Sequence, residues 1–94
     1  MPDFNPPSVV TVYLLKGKTG RRYIGITNDL ARRLREHRAK NTKGGQLLQE
    51  FRVLYTEKFP DHNMAREREK YLKSGQGRMW LDEWESKTGP AKGG

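Results

Sequence analysis

Residues 9–26 read VVTVYLLKGKTGRRYIGI, and the fold turns on how this stretch is read. Val9 to Leu15 is rich in β-branched side chains, with prolines at 6 and 7 before it and Lys16-Gly17 after it, the pattern of a strand. Lys16 to Arg21 carries glycine at 17 and 20 and reads as a turn; Arg22 to Ile26 reads as a second strand, so the two form a β-hairpin. Gly25 lies inside the second strand, two residues after Tyr23 and therefore on the same face. A glycine there weakens a strand unless it marks a bulge or a close approach. Clearance for a phosphodiester backbone beside Tyr23 is its functional reading.

Working outward, Thr27-Asn28-Asp29 supplies a helix start, and the helix is expected from Asp29 to Arg38 with Leu30, Ala31 and Leu34 on its apolar side. Asn41 to Gly45 opens a loop, and Gln46 to Glu50 is either loop or a short helical turn. Phe51 to Phe59 alternates, with Phe51, Val53, Tyr55 and Phe59 on one side, and is expected to be a third strand. Pro60-Asp61 ends it, and Asp61 or Asn63 caps a second helix from His62 to Ser74. Gly75 and Gly77 separate that helix from a short third one, Arg78 to Glu85, which carries Trp80, Leu81 and Trp84. Met1 to Ser8 is expected to be a flexible leader and Lys87 to Gly94 a disordered tail, leaving residues 9–86 as the domain. The order ββαβαα, with two antiparallel strands first, argues for an α+β fold: a three-stranded antiparallel sheet flanked by helices.

Composition narrows the function classes. Ninety-four residues make one small domain with a limited core, and two Trp, four Tyr and three Phe supply its bulk. Nineteen Lys and Arg against eleven Asp and Glu give a formal charge of +8 and a pI near 10.1. A polyanionic partner is the usual reason for such an excess, since each neutralised phosphate releases condensed counterions. A merely solvated surface, or an acidic protein or membrane partner, are the alternatives. With no cysteine, disulfides and thiolate zinc sites are excluded. No apolar run approaches the ~18 residues that span a bilayer, and no signal pattern opens the chain; a cytoplasmic protein is expected.

Several residues are candidates for chemistry. Tyr13 and Tyr23 are expected to face each other, or nearly so, across the hairpin; strand tyrosines are ordinarily core or half-exposed. Arg33 and His37, four residues apart, border the Leu30/Leu34 stripe, while Arg32 and Arg35 point toward solvent. On the second helix Met64, Ala65, Tyr71 and Leu72 form the apolar face, flanked by Glu67 on one side and Glu69 on the other. Periodicity does not choose between the two glutamates: either is a surface ion-pair partner, or one is a ligand for a hard cation. His62 is expected at the surface. No two-His, Cys/His or EF-hand spacing occurs, so a transition-metal site has little support.

Together these residues resemble the GIY-YIG nuclease domain, found in a nuclease of excision repair, in group I intron homing endonucleases and in small stand-alone bacterial proteins. Its two name-giving motifs are matched by Thr11-Val12-Tyr13 and Tyr23-Ile24-Gly25, with Thr11 where the name has glycine. Thr27 to His37, TNDLARRLREH, is similar to the family's arginine helix, and Ala65 to Leu81 is similar to the stand-alone members. The resemblance implies a Mg²⁺- or Mn²⁺-dependent endonuclease acting on DNA, of a kind used in DNA repair. It further implies that Glu69 holds the metal, that Arg33 binds the scissile phosphate, and that Tyr13, helped by Tyr23, orients or deprotonates the attacking water. His37 is the second candidate for proton transfer, its pKa being closer to neutrality. Tyr13, Tyr23, Arg33, His37 and Glu69 are expected to converge in one shallow basic cleft, with Arg21, Arg22, Arg32, Lys43 and Lys73 as DNA contacts. A monomer is expected, with a dimer on substrate an option for cutting both strands. Two competitors stand beside this reading: a non-catalytic nucleic-acid-binding module on the same fold, and an interaction protein docking through Trp80 and Trp84. Substrate form and cleavage sequence are not defined by these residues.

Overall fold

The hairpin forms, and its first strand becomes the centre of the sheet. The computed structural model describes residues 9–39, 48 and 50–88; the expected leader, most of the loop after the first helix including Lys43, and residues 89–94 of the tail lie outside them. Strand β1 (Val10–Gly17) pairs antiparallel with β2 (Arg22–Thr27) and with β3 (Phe51–Phe59), giving the order β2-β1-β3. The hairpin closes through the Gly17 N–H donating to the Arg21 carbonyl at 2.8 Å. Three helices follow: α1 (Leu30–Arg38), α2 (His62–Lys73) and α3 (Gly75–Thr88). The α+β architecture read from the sequence is the one observed.

Strand alternation gives the sheet two apolar faces. One carries Val10, Val12, Leu14 and Ile24 and packs against Ala65 and Leu72 of α2 and Leu81 of α3, with Tyr55, Phe59 and Trp80 at its margin. The other carries Tyr13 and Leu15 and is covered by Leu30 and Leu34 of α1, together with Leu48, Phe51 and Tyr23. Tyr55 meets Trp80 and Trp84 edge-on, with ring centroids 5.8 and 5.3 Å away, so both half-buried tryptophans pack against the domain's own sheet.

Four local expectations are corrected. Phe51, Val53, Tyr55 and Phe59 do not share a side. Leu14 pairs with Tyr55 but Leu15 pairs with Val53, so Leu54 is an extra residue on β3. This bulge reverses the alternation, putting Phe51 with the Tyr13 cluster and Tyr55 and Phe59 with the opposite one. Gly75 and Gly77, expected to separate two helices, instead lie in the first turn of α3. Ser74 breaks the chain in extended conformation (φ −78°, ψ 170°) and caps α3, its Oγ accepting from the Gly77 N–H at 3.1 Å. A Cβ at Gly77 would stand 1.9 Å from the Tyr71 carbonyl oxygen, so glycine is what lets α3 fold back this tightly on α2. At its far end α3 continues to Thr88, taking in Lys87 and Thr88 of the expected tail. Met64, expected on the apolar face of α2, is 48% exposed.

Candidate functional site

Tyr13 lies in the middle of the central strand, fully buried. Its partner across the hairpin is Gly25, while Tyr23 pairs with Leu15, so the two tyrosines are diagonal neighbours with ring centroids 6.3 Å apart. The glycine is explained by this register. A Cβ at Gly25 would stand 2.5 Å from the Tyr13 hydroxyl oxygen and 2.7 Å from Cζ. The close approach that demands glycine is therefore the Tyr13 ring lying over β2, and not a phosphodiester backbone.

Helix α1 delivers two side chains to the same hydroxyl. Asp29 caps it, accepting from the Arg32 N–H at 3.1 Å, and four-residue spacing then aligns Arg33 with His37. The Tyr13 hydroxyl lies 2.9 Å from His37 Nε2, and Arg33 Nε donates to the same oxygen at 3.4 Å. Arg33 also donates to Glu36 at 2.9 Å. His37 is buried and meets Tyr13, Tyr23 and Phe51 edge-on at 5.7, 5.2 and 6.1 Å.

The electrostatics favour one set of charge states. Burial, and then the neighbouring Arg33 charge, push the His37 pKa down, so its ring is neutral at neutral pH. Burial pushes the Tyr13 pKa up; the Arg33 hydrogen bond opposes this, and the charges of Tyr23 and Glu69 reinforce it. Hydrogen bonds to Tyr13 and Glu36 hold Arg33 even more firmly protonated than usual. Arg33 is thus always a donor to the Tyr13 oxygen, and the 2.9 Å contact with His37 is donated by the Tyr13 O–H when the imidazole proton is on Nδ1 and by Nε2–H when it is on Nε2.

Glu69 stands on α2, which packs against the face of the sheet opposite α1. Its carboxylate side chain is 17% exposed, it accepts from Lys73 Nζ at 3.0 Å, and its charge is felt at the Tyr13 hydroxyl. Glu67 is exposed, so the helix separates two carboxylates that sequence periodicity left equivalent. Among the described residues no three His, Asp or Glu side chains gather into a metal-binding cluster.

Exposure divides the set. Tyr13 and His37 have no exposed surface, whereas Tyr23 is partly exposed and the Arg33 side chain is 33% exposed. On the other side of Tyr23 is a cleft of about 230 Å³ lined by Arg22, Tyr23, Lys73 and Arg78 over Ile24, Leu72 and Leu81. Of the expected DNA contacts, Arg21 is exposed at the hairpin turn. Arg22 is held by Asp82 at 2.8 Å and Glu85 at 2.5 Å, and Arg32 by Glu36 at 3.0 Å and Asp29 at 3.7 Å. Lys43 lies outside the described residues. Arg78 is a lining residue that the sequence does not reveal: it reads there as a helix start, with nothing to bring it next to Tyr23.

Residues 9–81 match the GIY-YIG catalytic domain. The chain is also similar to a small UPF0213 protein of Bacillus halodurans known from a solution NMR structure. The two are 31% identical, the match covers 87% of this chain and 88% of the other, and the TM-score is 0.54. No curated protein matches the chain. The chain belongs to the GIY-YIG catalytic domain family, a family of nucleases.

Proposed function

We propose that this protein is a metal-dependent endonuclease that nicks DNA at the surface formed by Tyr23, Arg33 and Glu69, with the Tyr13–His37 pair behind it. The observation that carries this is the double engagement of Arg33. Its Nε donates to the hydroxyl of the buried Tyr13–His37 pair, its Nη1 pairs with Glu36, and its side chain stays one-third exposed. Hydrolysing a phosphodiester needs a positioned water and neutralisation of the charge that develops on the phosphoryl oxygens and leaving group. Arg33, protonated at any working pH, binds the scissile phosphate in this reading.

Glu69 would hold Mg²⁺ or Mn²⁺. The donor set fits such an ion: Mg²⁺ takes one or two carboxylates and completes its shell with waters and substrate phosphates. The Glu69 oxygen already accepts a cation, the Lys73 ammonium. When bound, the ion would neutralise phosphoryl charge and favour ionisation of a water. Because Tyr13 is covered, Tyr23 is the tyrosine suited to face that water. Tyr13 and His37 then serve as a positioning pair that fixes Arg33 and supports Tyr23 from below. A part in DNA repair, in the cytoplasm, is the setting that the family relation suggests.

Conversion of supercoiled plasmid to the nicked form tests the proposal, measured with Mg²⁺, with Mn²⁺ and with chelator. Nicking that needs the metal and falls by roughly 100-fold or more in Arg33→Ala is expected. Metal-free DNA binding with no nicking under any condition would favour the binding-module reading.

A further inference from the structure

Helix α2 carries more than Glu69. At 100° per residue, His62, Arg66, Glu69, Lys70 and Lys73 fall on one face, beside the face that buries Ala65 and Leu72. His62, Arg66, Lys70 and Lys73 are exposed. Arg66 and Lys73 are separated by seven residues, a rise of about 10 Å along the axis. Within the stripe Lys73 pairs with Glu69, and near the site Arg22, Arg32 and Arg33 each have a carboxylate partner. Among the described residues, no ion pair includes Arg66, Lys70 or Arg78. Arg78 continues the stripe, because it and Lys73 line the same cleft as Tyr23. Glu67, also exposed, borders the stripe beyond Lys70.

Uncompensated cations in a row, ending at the candidate cleavage surface, have the form of a backbone-tracking groove. Phosphate contacts of this kind position a strand without reading its sequence. We infer that Arg66, Lys70 and Arg78, with Lys73, form a phosphate track that holds the DNA strand on one side of the cleavage position. This rests on the nuclease reading above and adds to it the path of the substrate. Such a track reads charge spacing and not base edges, so it would hold DNA with little sequence preference.

The test measures DNA affinity in chelator, so that no cleavage occurs, across a salt series with a fluorescent duplex. Compare wild type, Arg66→Ala/Lys70→Ala, and a control of equal charge loss away from the track, Lys58→Ala/Lys87→Ala. All four positions are exposed, and circular dichroism confirms that each variant folds. Loss of two phosphate contacts should reduce the slope of log K against log salt by about two and weaken binding roughly 10- to 100-fold. The control should change the slope by much less than one, and Arg66→Lys/Lys70→Arg should restore affinity. Equal losses in both double variants would show a response to net charge alone and overturn the track. Normal affinity in Arg66→Ala/Lys70→Ala, with wild-type binding intact, would overturn the track and leave the nuclease reading standing. A wild-type protein that binds no DNA at low salt would overturn both.

Discussion

At Gly25 a single methyl group separates an ordered site from a broken one. A Cβ there overlaps the Tyr13 hydroxyl, which is hydrogen-bonded to His37 and Arg33 and cannot move without releasing both. Gly25→Ala is therefore expected to cost about 1–3 kcal/mol and to impair nicking beyond its effect on stability; thermal melts and nicking rates check the two separately. The importance of this glycine was legible in the sequence, but its neighbour was not. A strand glycine signals a close approach, and only the pairing register says that Tyr13 is what approaches. His37 gives a second test. Its pKa is lowered in the folded protein from an ordinary value of 6.5, so the unfolded chain binds the extra proton first as pH falls. Stability from this group is complete above about 6.5 and declines as pH falls from there toward the lowered folded value. The thermal midpoint should drop over that window in wild type and more gently in His37→Phe. Identical pH profiles would show that His37 is not held neutral by its surroundings.

Among the elements, the strands and helices were legible wherever the apolar period was clean: the hairpin, α1 and α2 lie within a residue or two of their expected bounds. Two junctions were not. The bulge at Leu54 is hidden because Leu54 is itself apolar, so inserting it leaves a pattern that still looks alternating. The α2–α3 corner is misleading in the sequence because glycines ordinarily end helices, whereas Gly77 here is required by the backbone of the preceding helix. Ser74 is the residue that makes the new start. Its Oγ accepts from the Gly77 N–H at 3.1 Å, and Ser74→Ala should cost about 1 kcal/mol. In a domain of this size that lowers the thermal midpoint by roughly 4–8 °C. A Ser74→Asp variant, which retains a capping acceptor, should recover most of the loss.

Over the whole molecule, the excess of positive charge is unevenly neutralised, and that unevenness is what composition alone could not show. The end of α3 is tied to the hairpin by Glu85, which accepts from Lys16 at 2.6 Å and from Arg22 at 2.5 Å. Burial opposes ionisation of Glu85, but the hydrogen bonds from Lys16 and Arg22 outweigh it and hold its pKa down. Removing the carboxylate leaves partly buried Lys16 without its ion-pair partner, while Arg22 keeps Asp82, so Glu85→Ala should destabilise by about 1 kcal/mol. A melt of this variant in low and high salt checks it, with the loss persisting in high salt because the pair is only partly exposed. Among the described residues the cations outside any ion pair include Arg66 and Lys70 on the outer face of α2 and Arg78 at the cleft, with Arg21, Arg35, Arg38, Arg52, Lys58 and Lys87 spread elsewhere. Tyr13, Tyr23, Arg33 and His37 are brought together by β1, β2 and α1, with Glu69 approaching from the other side of the sheet.

Glu69 against Glu67 is the comparison that tests the nuclease reading most directly, since two carboxylates on one helix differ there only in what they face. Nicking rate in Mg²⁺, thermal midpoint and metal-free DNA affinity should be measured for Glu69→Ala and Glu67→Ala. The expected result is that Glu69→Ala abolishes metal-dependent nicking with the fold intact and DNA affinity retained or raised, because a negative charge has left the phosphate site. Glu67→Ala should change nicking little, as an exposed carboxylate contributes at most a few tenths of a kcal/mol. Loss of nicking in Glu67→Ala with normal activity in Glu69→Ala, or equal activity in both, would contradict the assignment of the metal to Glu69.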